Sequence, residues 1–231
     1  MVFGVFSLAT FFLPLATSHL KMMPSPKPIV FVIDDDASVR KSLSRLLRSM
    51  GLNVEAFASA DSFLRREHYD GVGCIVLDVR MPGLSGMDLQ VELSRADYSM
   101  PIIFITGHGN IPMSVQAMKK GAVNFLAKPF DDEELLQAVR EAIEKDRSVK
   151  AERAKVHDIR RRIDMLTPRE HEILRHVITG MLNKQIALKL DIAEKTVKIH
   201  RGRVMEKLSV NSVAELVRLA EKAGIEPPEY K

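Results

Sequence analysis

Four short apolar runs of this sequence are each followed by polar side chains that could take part in phosphoryl transfer. In chain order these side chains are Asp34, Asp35 and Asp36, then Asp78, Thr106 and Lys128. Carboxylates that lie close together are hard oxygen ligands of the kind that Mg²⁺ requires. Mg²⁺ beside a carboxylate can neutralise a phosphoryl group in transit, while a hydroxyl and an ammonium bind its remaining oxygens. These residue types therefore predict the transfer of a phosphoryl group onto a carboxylate.

Each of these side chains also has an ordinary structural explanation. A single Asp after a strand usually caps a helix or forms a turn, and Asp36 is expected to be such a cap. The Lys128–Pro129 pair alone would indicate a loop. The joint occurrence of carboxylates, a hydroxyl and an ammonium at four strand ends favours a functional site.

The apolar runs have the character of strands that are buried on both faces of a parallel sheet, because they are continuous rather than alternating. They lie at 29–33, 52–57, 74–77, 102–105 and 123–126, and helical stretches lie near 37–50, 59–67, 84–95, 111–119 and 131–145. Ser59 is expected to cap the second helix, and Asp131 with Glu134 to form a capping box at the fifth. Five such units predict a doubly wound α/β domain, whose ligands bind at the carboxyl ends of the strands.

Residues 167–220 are helical in pattern throughout. Thr167, Pro168 and Glu170 have the types expected at the cap, first and third positions of a helix. Asn183 is expected to cap a helix at 184–190. A turn at 191–193 then leads to a longer helix at 194–208, and a last helix runs from about 212 to 222. Two helices separated by a tight turn predict a helix-turn-helix.

The longer helix combines an apolar stripe with a cationic flank. The stripe consists of Val197, Val204 and Leu208, and the flank of Lys195, Lys198, His200, Arg201, Arg203 and Lys207. If the stripe packs on the domain core, the flank faces outward, where a helix can enter the major groove of DNA. Lys198, Ile199 and Arg201 are then the candidates for contact with base or groove edges, while Lys184 and Arg169 are candidates for contact with phosphates. A solvated basic helix is the alternative.

Charge and cysteine content support two domains and exclude two kinds of site. Residues 29–146 contain 13 Lys and Arg against 18 Asp and Glu, whereas residues 147–231 contain 19 against 12. An acidic half joined to a basic half predicts a polyanionic partner for the second half. One cysteine excludes a disulfide framework and a four-thiolate zinc site.

Two further segments have open interpretations. Between 145 and 163, Val149, Val156 and Ile163 recur every seven residues, which predicts a linker helix that either pairs with a second copy or is simply solvated. Residues 2–16 are almost entirely apolar but lack a basic start, contain Pro14 and are short for a membrane span. We interpret them as an over-long translation start, with a membrane tether as the alternative.

Residues 29–145 resemble the receiver domain of bacterial two-component response regulators, and residues 164–222 resemble a LuxR-type DNA-binding domain. The motifs are VIDDD, LDVRMPGLSGMDL, FITGHGNIP and FLAKPF, followed by LTPREHEIL and NKQIALKL…TVKIHRGRVMEKL. They are similar to those of the NarL/FixJ family, in its FixJ-like branch. The resemblance implies a flavodoxin-like receiver with a five-stranded parallel sheet, a helical linker and an all-α helix-turn-helix domain. The expected boundaries are 29–145, 146–163 and 164–231, with 1–28 outside the fold.

The resemblance also implies a role for individual residues. Asp78 would be the phosphoacceptor, taking the group from a phosphohistidine of a sensor kinase. Asp34, Asp35, Asp78 and the backbone carbonyl of Arg80 would bind Mg²⁺. Thr106 and Lys128 would sense the phosphoryl group, Phe125 would be the aromatic switch, and the Lys128–Pro129 bond would be cis. The expected DNA-binding residues are Lys184, Lys195, Thr196, Lys198, Ile199, Arg201 and Arg203.

The expected partners are a sensor histidine kinase, double-stranded promoter DNA, a second copy on phosphorylation and, as a candidate, RNA polymerase. We expect a cytoplasmic protein that is not bound to a membrane and has no multiple-turnover substrate. Two departures from the family affect the DNA reader: Ala193 replaces the usual Ser or Thr cap, and Gly202 replaces a larger polar residue.

Two hypotheses from other classes stay open. One is a Mg²⁺-dependent phosphatase, although such enzymes place the nucleophile after the first strand and Asp78 follows the third. The other is a LuxR-type regulator that senses a small molecule, which the acidic cluster at the strand ends disfavours.

Overall fold

Five parallel strands form the centre of the N-terminal half of the chain. A computed structural model describes residues 27–107 and 111–228. The strands are β1 (Ile29–Ile33), β2 (Asn53–Phe57), β3 (Gly73–Asp78), β4 (Ile102–Thr106) and β5 (Asn124–Ala127). They are hydrogen-bonded in the order β2-β1-β3-β4-β5, and every neighbouring pair is parallel. The predicted doubly wound α/β fold is confirmed.

Helices cover both faces of this sheet. The first four are α1 (Ala37–Ser49), α2 (Ala60–Leu64), α3 (Gly86–Arg95) and α4 (Ile111–Lys119). Every residue of β1, β3 and β4 is buried, and the alternate side chains of each strand enter two separate apolar clusters. Phe31 and Phe104 belong to one cluster, whereas Val30 and Ile103 belong to the other. Burial on both faces explains why these strands are continuous apolar runs in the sequence.

The caps at helix starts were predicted with mixed success. Ser59 caps α2 with a reciprocal capping box, and Asp36 caps α1 by accepting hydrogen bonds from the backbone N–H groups of Ser38 and Val39. The capping box predicted at Asp131 is wrong, because the Asp131 side chain makes no cap hydrogen bond.

The predicted fifth helix and the predicted linker are one continuous helix, α5 (Asp132–Asp164). Its first half packs on the sheet through Leu135, Val139 and Ile143, and its last turn buries Ile163 in the C-terminal core. The three residues of the seven-residue repeat therefore have different surroundings. Ile163 packs in the C-terminal core of its own chain, whereas Val149 and Val156 remain partly exposed.

Four helices follow α5 and enclose a separate apolar core. They are α6 (Pro168–Val177), α7 (Asn183–Leu190), α8 (Glu194–Lys207) and α9 (Val213–Ala223). Thr167 and Glu170 form the predicted capping box, and Pro168 is the first residue of α6. The prediction that Asn183 caps α7 is wrong, because Asn183 is already the first helical residue and follows Leu182 at the cap. The cap at α8 is Ala193, which has no side-chain acceptor.

The interpretations of the apolar N-terminal segment fall on residues 1–26, outside the described part of the chain. None of the helices in the described ranges is both long enough and apolar enough to cross a bilayer.

Candidate functional site

Two buried carboxylates and one ammonium meet at the carboxyl ends of the strands. Asp34 follows β1 and is 1% exposed, and Asp78 ends β3 and is 6% exposed. Lys128 follows β5, and its Nζ donates hydrogen bonds to Oδ2 of Asp34 at 2.7 Å and to Oδ1 of Asp78 at 2.9 Å. Asp34 and Asp78 are 44 positions apart in sequence, and they meet because β1 and β3 lie side by side where the strand order reverses. Lys128, 50 positions after Asp78, reaches them from the end of β5, two strands away from β3.

Backbone groups fix both carboxylates further. The backbone N–H of Arg80 donates to Oδ2 of Asp78 at 2.7 Å, and that of Asp36 donates to Oδ1 of Asp34 at 2.8 Å. The Arg40 guanidinium donates to the backbone carbonyl of Asp34 at 2.6 Å. Arg40 was missed by the sequence analysis, since nothing in its spacing distinguishes it from the other cations of α1.

Burial and charge act in opposite directions on these groups. Burial raises the pKa of Asp78 above its ordinary value and the negative charge of Asp34 adds to the rise, although Lys128 and the N–H of Arg80 oppose it. Burial also acts to lower the pKa of Lys128, but its hydrogen bonds to two carboxylates outweigh that effect and raise the pKa. Both pKa values are raised because one ammonium faces two carboxylates. The two negative charges stabilise the protonated lysine, whereas the single positive charge does not fully offset the burial of Asp78.

Thr106 and Phe125 lie beside this cluster. Thr106 is buried at the end of β4, and its carbonyl accepts a hydrogen bond from the backbone N–H of Lys128 at 2.7 Å. Phe125 on β5 is half-buried, with its ring centroid 6.3 Å from that of Phe104 on β4. The Lys128–Pro129 bond is cis, as the family resemblance implied.

The donor set at this edge suits Mg²⁺. Mg²⁺ is usually held by one or two carboxylates with waters and phosphate oxygens, and Asp34 and Asp78 supply two carboxylates beside the backbone of Arg80. Asp35 is exposed. Across the described ranges, no three side chains of the His, Cys, Asp and Glu types come together as a metal group. A Mg²⁺ held by this buried pair would therefore need further oxygen ligands, such as a backbone carbonyl or water, to complete its coordination.

A second candidate surface lies on the helix-turn-helix. α7 and α8 are joined by a turn in which Asp191 adopts a left-handed conformation, with φ of 51°. Val197, Val204 and Leu208 are fully buried, so the predicted apolar stripe of α8 does pack on the core. The residues left outward include Lys184 on α7 and, on α8, Lys195, Lys198, Ile199 and Arg203, while Thr196 is half-buried.

Three cations have structural contacts that the sequence pattern did not indicate. Arg201 is half-buried and donates to Oδ1 of Asn183 at 2.9 Å, so it connects α8 to the start of α7. Lys207 donates to the buried carboxylate of Glu170 at 2.6 Å and to the carbonyl of Met165 at 3.1 Å, so it does not belong to the outward flank. Arg169 pairs with a neighbouring glutamate and donates to a carbonyl at the end of α7.

Comparison with known proteins identifies both halves of the chain. Residues 30–140 match the family described as the response regulator receiver domain, and residues 164–220 match the family described as bacterial regulatory proteins of the luxR family. The first match disfavours a small-molecule sensor in the N-terminal half.

Relatives of known name extend over nearly the whole chain. Nodulation protein W of Bradyrhizobium diazoefficiens is 52% identical over 87% of this chain and 88% of its own length. The response regulator protein TodT of Pseudomonas putida is 45% identical, over 88% and 89%. Transcriptional regulatory protein FixJ of Rhizobium meliloti is 41% identical, over 86% and 97%.

Solved structures agree with these relatives. The response regulator StyR superposes with a TM-score of 0.78 at 48% identity, covering 85% of this chain and 99% of that one. Full-length FixJ from B. japonicum superposes with a TM-score of 0.53 at 42% identity, covering 86% and 98%.

Proposed function

This chain belongs to the transcriptional response regulators that join a receiver domain to a LuxR-type DNA-binding domain, and on that basis we propose that phosphorylation of Asp78 controls its binding to promoter DNA. We assign the receiver to residues 29–145, the linker to 146–163 and the DNA-binding domain to 164–231. The observation that carries the proposal is the bridge from Lys128 to two buried carboxylates at the strand ends.

The chemistry proposed for Asp78 is nucleophilic. A carboxylate oxygen forms a bond to the phosphorus of a phosphohistidine on a sensor kinase, while the phosphorus–nitrogen bond breaks and its electron pair leaves with the histidine. The hydrogen bond from the N–H of Arg80 holds one oxygen of Asp78, and Lys128 stands beside the other. Both donors can stabilise negative charge on the transferring group, because they are already oriented in a site that is partly shielded from water.

Mg²⁺ would be held by Asp34, Asp78 and the backbone carbonyl of Arg80, with Asp35 contributing through water or directly. When bound it would neutralise charge on the phosphoryl oxygens. Lys128 would then contact those oxygens as the second cation of the site. The family consists of regulators, so we propose a single phosphorylation of the chain and no turnover of a separate substrate.

The phosphoryl group would change the face formed by α4 and β5. The aspartyl phosphate carries about −1.5 to −2 charges where the carboxylate of Asp78 carried one negative charge. Thr106, at the end of the adjacent strand, would bind a phosphoryl oxygen, and Phe125 would turn toward the space that Thr106 leaves. Ile111, Val115 and Met118 form an exposed apolar patch on α4, with Ile111 80% exposed. A second copy that covers this patch would pair two DNA-binding domains on neighbouring half-sites.

The outward residues of the helix-turn-helix would contact DNA in two ways. We propose that Lys198 and Ile199 reach groove edges together with Thr196, whereas Lys184, Lys195 and Arg203 contact phosphates. Arg201 would reach DNA only by giving up its hydrogen bond to Asn183. RNA polymerase is a candidate further partner, and we expect the protein to act in the cytoplasm, where bacterial DNA lies.

The first experiment is intact mass measurement after incubation with acetyl phosphate, with and without Mg²⁺. We expect one Mg²⁺-dependent phosphoryl adduct in the natural chain and none in Asp78→Asn. An adduct that persists in Asp78→Asn would refute the assignment of the phosphoacceptor.

The second experiment measures affinity for duplex DNA against salt concentration. Lys198→Ala should weaken binding, whereas Lys155→Ala, which removes an exposed lysine of α5, should not. Equal affinities of the two variants would refute the placement of α8 on DNA. With natural promoter fragments, equal binding by phosphorylated and unphosphorylated protein would refute control by Asp78.

A further inference from the structure

Gly86, the first residue of α3, lies directly against the main chain of Asp78. A Cβ atom at position 86 would lie 2.2 Å from the backbone oxygen of Asp78 and 3.1 Å from its carbonyl carbon. It would also lie 3.1 Å from Cγ of Leu77. Cβ atoms essentially never come within 3.0 Å of a non-bonded heavy atom of another residue. Here the nearest neighbour is a backbone atom, which cannot rotate away as the end of a side chain could.

The helix is held in this position and has little freedom to retreat. The backbone N–H of Gly86 donates to the carbonyl of Val79 at 3.0 Å, and the Ser85 hydroxyl caps α3 by accepting from the N–H of Asp88 at 3.2 Å. Leu89, one turn further along α3, is fully buried in the core. A side chain at position 86 would therefore push against an anchored helix on one side and the end of β3 on the other.

The requirement for glycine here concerns space and not backbone conformation. The φ angles of five other described glycines are positive, between 75° and 95°, whereas Gly86 has no such angle. Alanine could adopt the backbone of residue 86, so the only obstacle is the missing volume beside Asp78.

We propose that Gly86 is a positioning residue for phosphoryl transfer, because its missing side chain lets α3 hold the main chain of Asp78 in place. The inference rests on the proposed role of Asp78 as phosphoacceptor. Both oxygens of Asp78 are held at fixed distances, 2.7 Å from the N–H of Arg80 and 2.9 Å from Nζ of Lys128. A shift of the Asp78 main chain moves both oxygens relative to these donors and to the incoming phosphorus.

The sequence supplies a matched control at the other end of the same strand. Gly73 is the first residue of β3, and a Cβ there would lie 2.4 Å from the backbone oxygen of Ile29. Gly73→Ala and Gly86→Ala thus introduce the same atom against a backbone oxygen in the same sheet. Only the second clash is at Asp78. Ser85→Ala is a further control, since it removes the cap of α3 and adds no atom near Asp78.

Two quantities are measured in the full chain at 10 °C with sucrose, an osmolyte that favours folded protein. The first is the rate of phosphorylation by acetyl phosphate per folded chain. The second is the amide proton chemical shift of Arg80, which reports its hydrogen bond to Asp78 without any phosphoryl group. We expect Gly86→Ala to lower the rate about 10- to 100-fold and to move the Arg80 amide. Gly73→Ala and Ser85→Ala should keep the natural rate and the natural Arg80 shift.

Three results would overturn the inference: an unmoved Arg80 amide in Gly86→Ala, equal rate losses in Gly86→Ala and Gly73→Ala, or complete unfolding of Gly86→Ala beside a folded Gly73→Ala. The last would make Gly86 a folding residue only. Because the amide measurement needs no phosphorylation, a natural chain that takes up no phosphoryl group would count against the proposed function alone.

Discussion

Replacing Lys128 with glutamine should destabilise the receiver, and should do so more strongly without Mg²⁺ than with it. The substitution leaves Asp34 and Asp78 facing each other without the ammonium that now contacts both at 2.7 and 2.9 Å. At an effective dielectric constant of about 20, each contact is worth on the order of 6 kcal/mol of Coulomb attraction. Desolvation of the charges offsets most of this attraction, and removing one partner of a buried pair typically costs about 3–5 kcal/mol. Because the Lys128 side chain is 24% exposed, we expect a loss of about 2–4 kcal/mol at pH 7.

The loss should depend on pH in a direction that the geometry fixes. Without Lys128, nothing offsets the repulsion between the two carboxylates, and the pKa of Asp78, which burial already raises, rises further above that of the unfolded chain. A carboxyl group whose pKa is higher in the folded chain than in the unfolded chain adds to the free energy of unfolding at a pH below its unfolded pKa. That contribution is lost as the pH rises through the pKa of the folded chain. The Lys128→Gln variant should therefore recover stability relative to the natural chain as the pH falls from 7 toward the ordinary pKa of an Asp carboxyl, about 4.

Mg²⁺ should offset part of this loss, since it binds the carboxylates that Lys128 now neutralises. We expect Mg²⁺ to bind Lys128→Gln at least about tenfold more tightly than it binds the natural chain, which adds about 1.4 kcal/mol of stabilisation at saturating metal. Urea denaturation with and without Mg²⁺ measures the stability, and isothermal titration calorimetry measures the affinity. Lys41→Gln is the matched control, because it removes an exposed lysine of α1.

The reasoning would be refuted by Lys128→Gln that is as stable as Lys41→Gln in the absence of metal. It would also be refuted by Mg²⁺ binding that is unchanged or weaker in the variant. The first result would show that the bridge contributes nothing, and the second that metal and ammonium do not compete for the same carboxylates.

Three other predictions concern stability away from the acidic edge, each measured by hydrogen exchange of nearby helical amides. The hydrogen bond from Lys207, and then that from the N–H of Thr167, lower the pKa of Glu170 to about 2. Protection of the α6 amides should therefore fall as the pH drops from 4.5 toward 2. Glu170→Gln should lower the free energy of unfolding by about 1.5–3 kcal/mol and flatten that pH dependence. Gly202→Ala should stabilise α8 by about 0.5–1 kcal/mol, because a Cβ there meets nothing within 4 Å, and a loss of protection would contradict this expectation. Asp146→Ala should lower the free energy of unfolding by about 3 kcal/mol. Asp158→Ala, which breaks an exposed ion pair with the same spacing on α5, should lower it by less than about 0.5 kcal/mol. Equal losses would show that the burial of Asp146 is irrelevant.

The fold was predictable because its signals are local. Strands buried on both faces are continuous apolar runs, and the carboxyl end of each run determines where Asp78 and Thr106 stand. Helix α6 was predictable from its cap, since Thr167 and Glu170 satisfy backbone groups within three residues. Where the predictions failed, at Asp131 and Asn183, a capping residue type was present but the side chain makes no cap hydrogen bond there.

The contacts within the site were less predictable, because they depend on distances between segments that are far apart in sequence. The motif that contains Gly86 was recognised, but only the packing of α3 on β3 shows which glycine has no room for a Cβ. Charge pattern alone placed Lys207 on the outward flank of α8, whereas its actual partner, Glu170, is 37 residues away on another helix. A cation that binds DNA and a cation that binds a buried carboxylate have the same appearance in a sequence.

The helix α5 connects the two halves of the molecule, because it packs on the sheet at its start and enters the C-terminal core at its end. Asp146 is buried in its middle, where Oδ2 accepts hydrogen bonds from the backbone N–H of Gly73, at the start of β3, and from Nζ of Lys150, both at 2.9 Å. The helix then continues without a break to Ile163 in the C-terminal core, and its 33 residues span about 50 Å. Because one helix packs on the sheet at one end and enters the C-terminal core at the other, we expect the position of the receiver to constrain the position of its own DNA-binding helices. Two receivers that pair through the α4 patch would thus also set the distance between the two α8 helices. That distance would determine which spacing of half-sites in the DNA the dimer can bind.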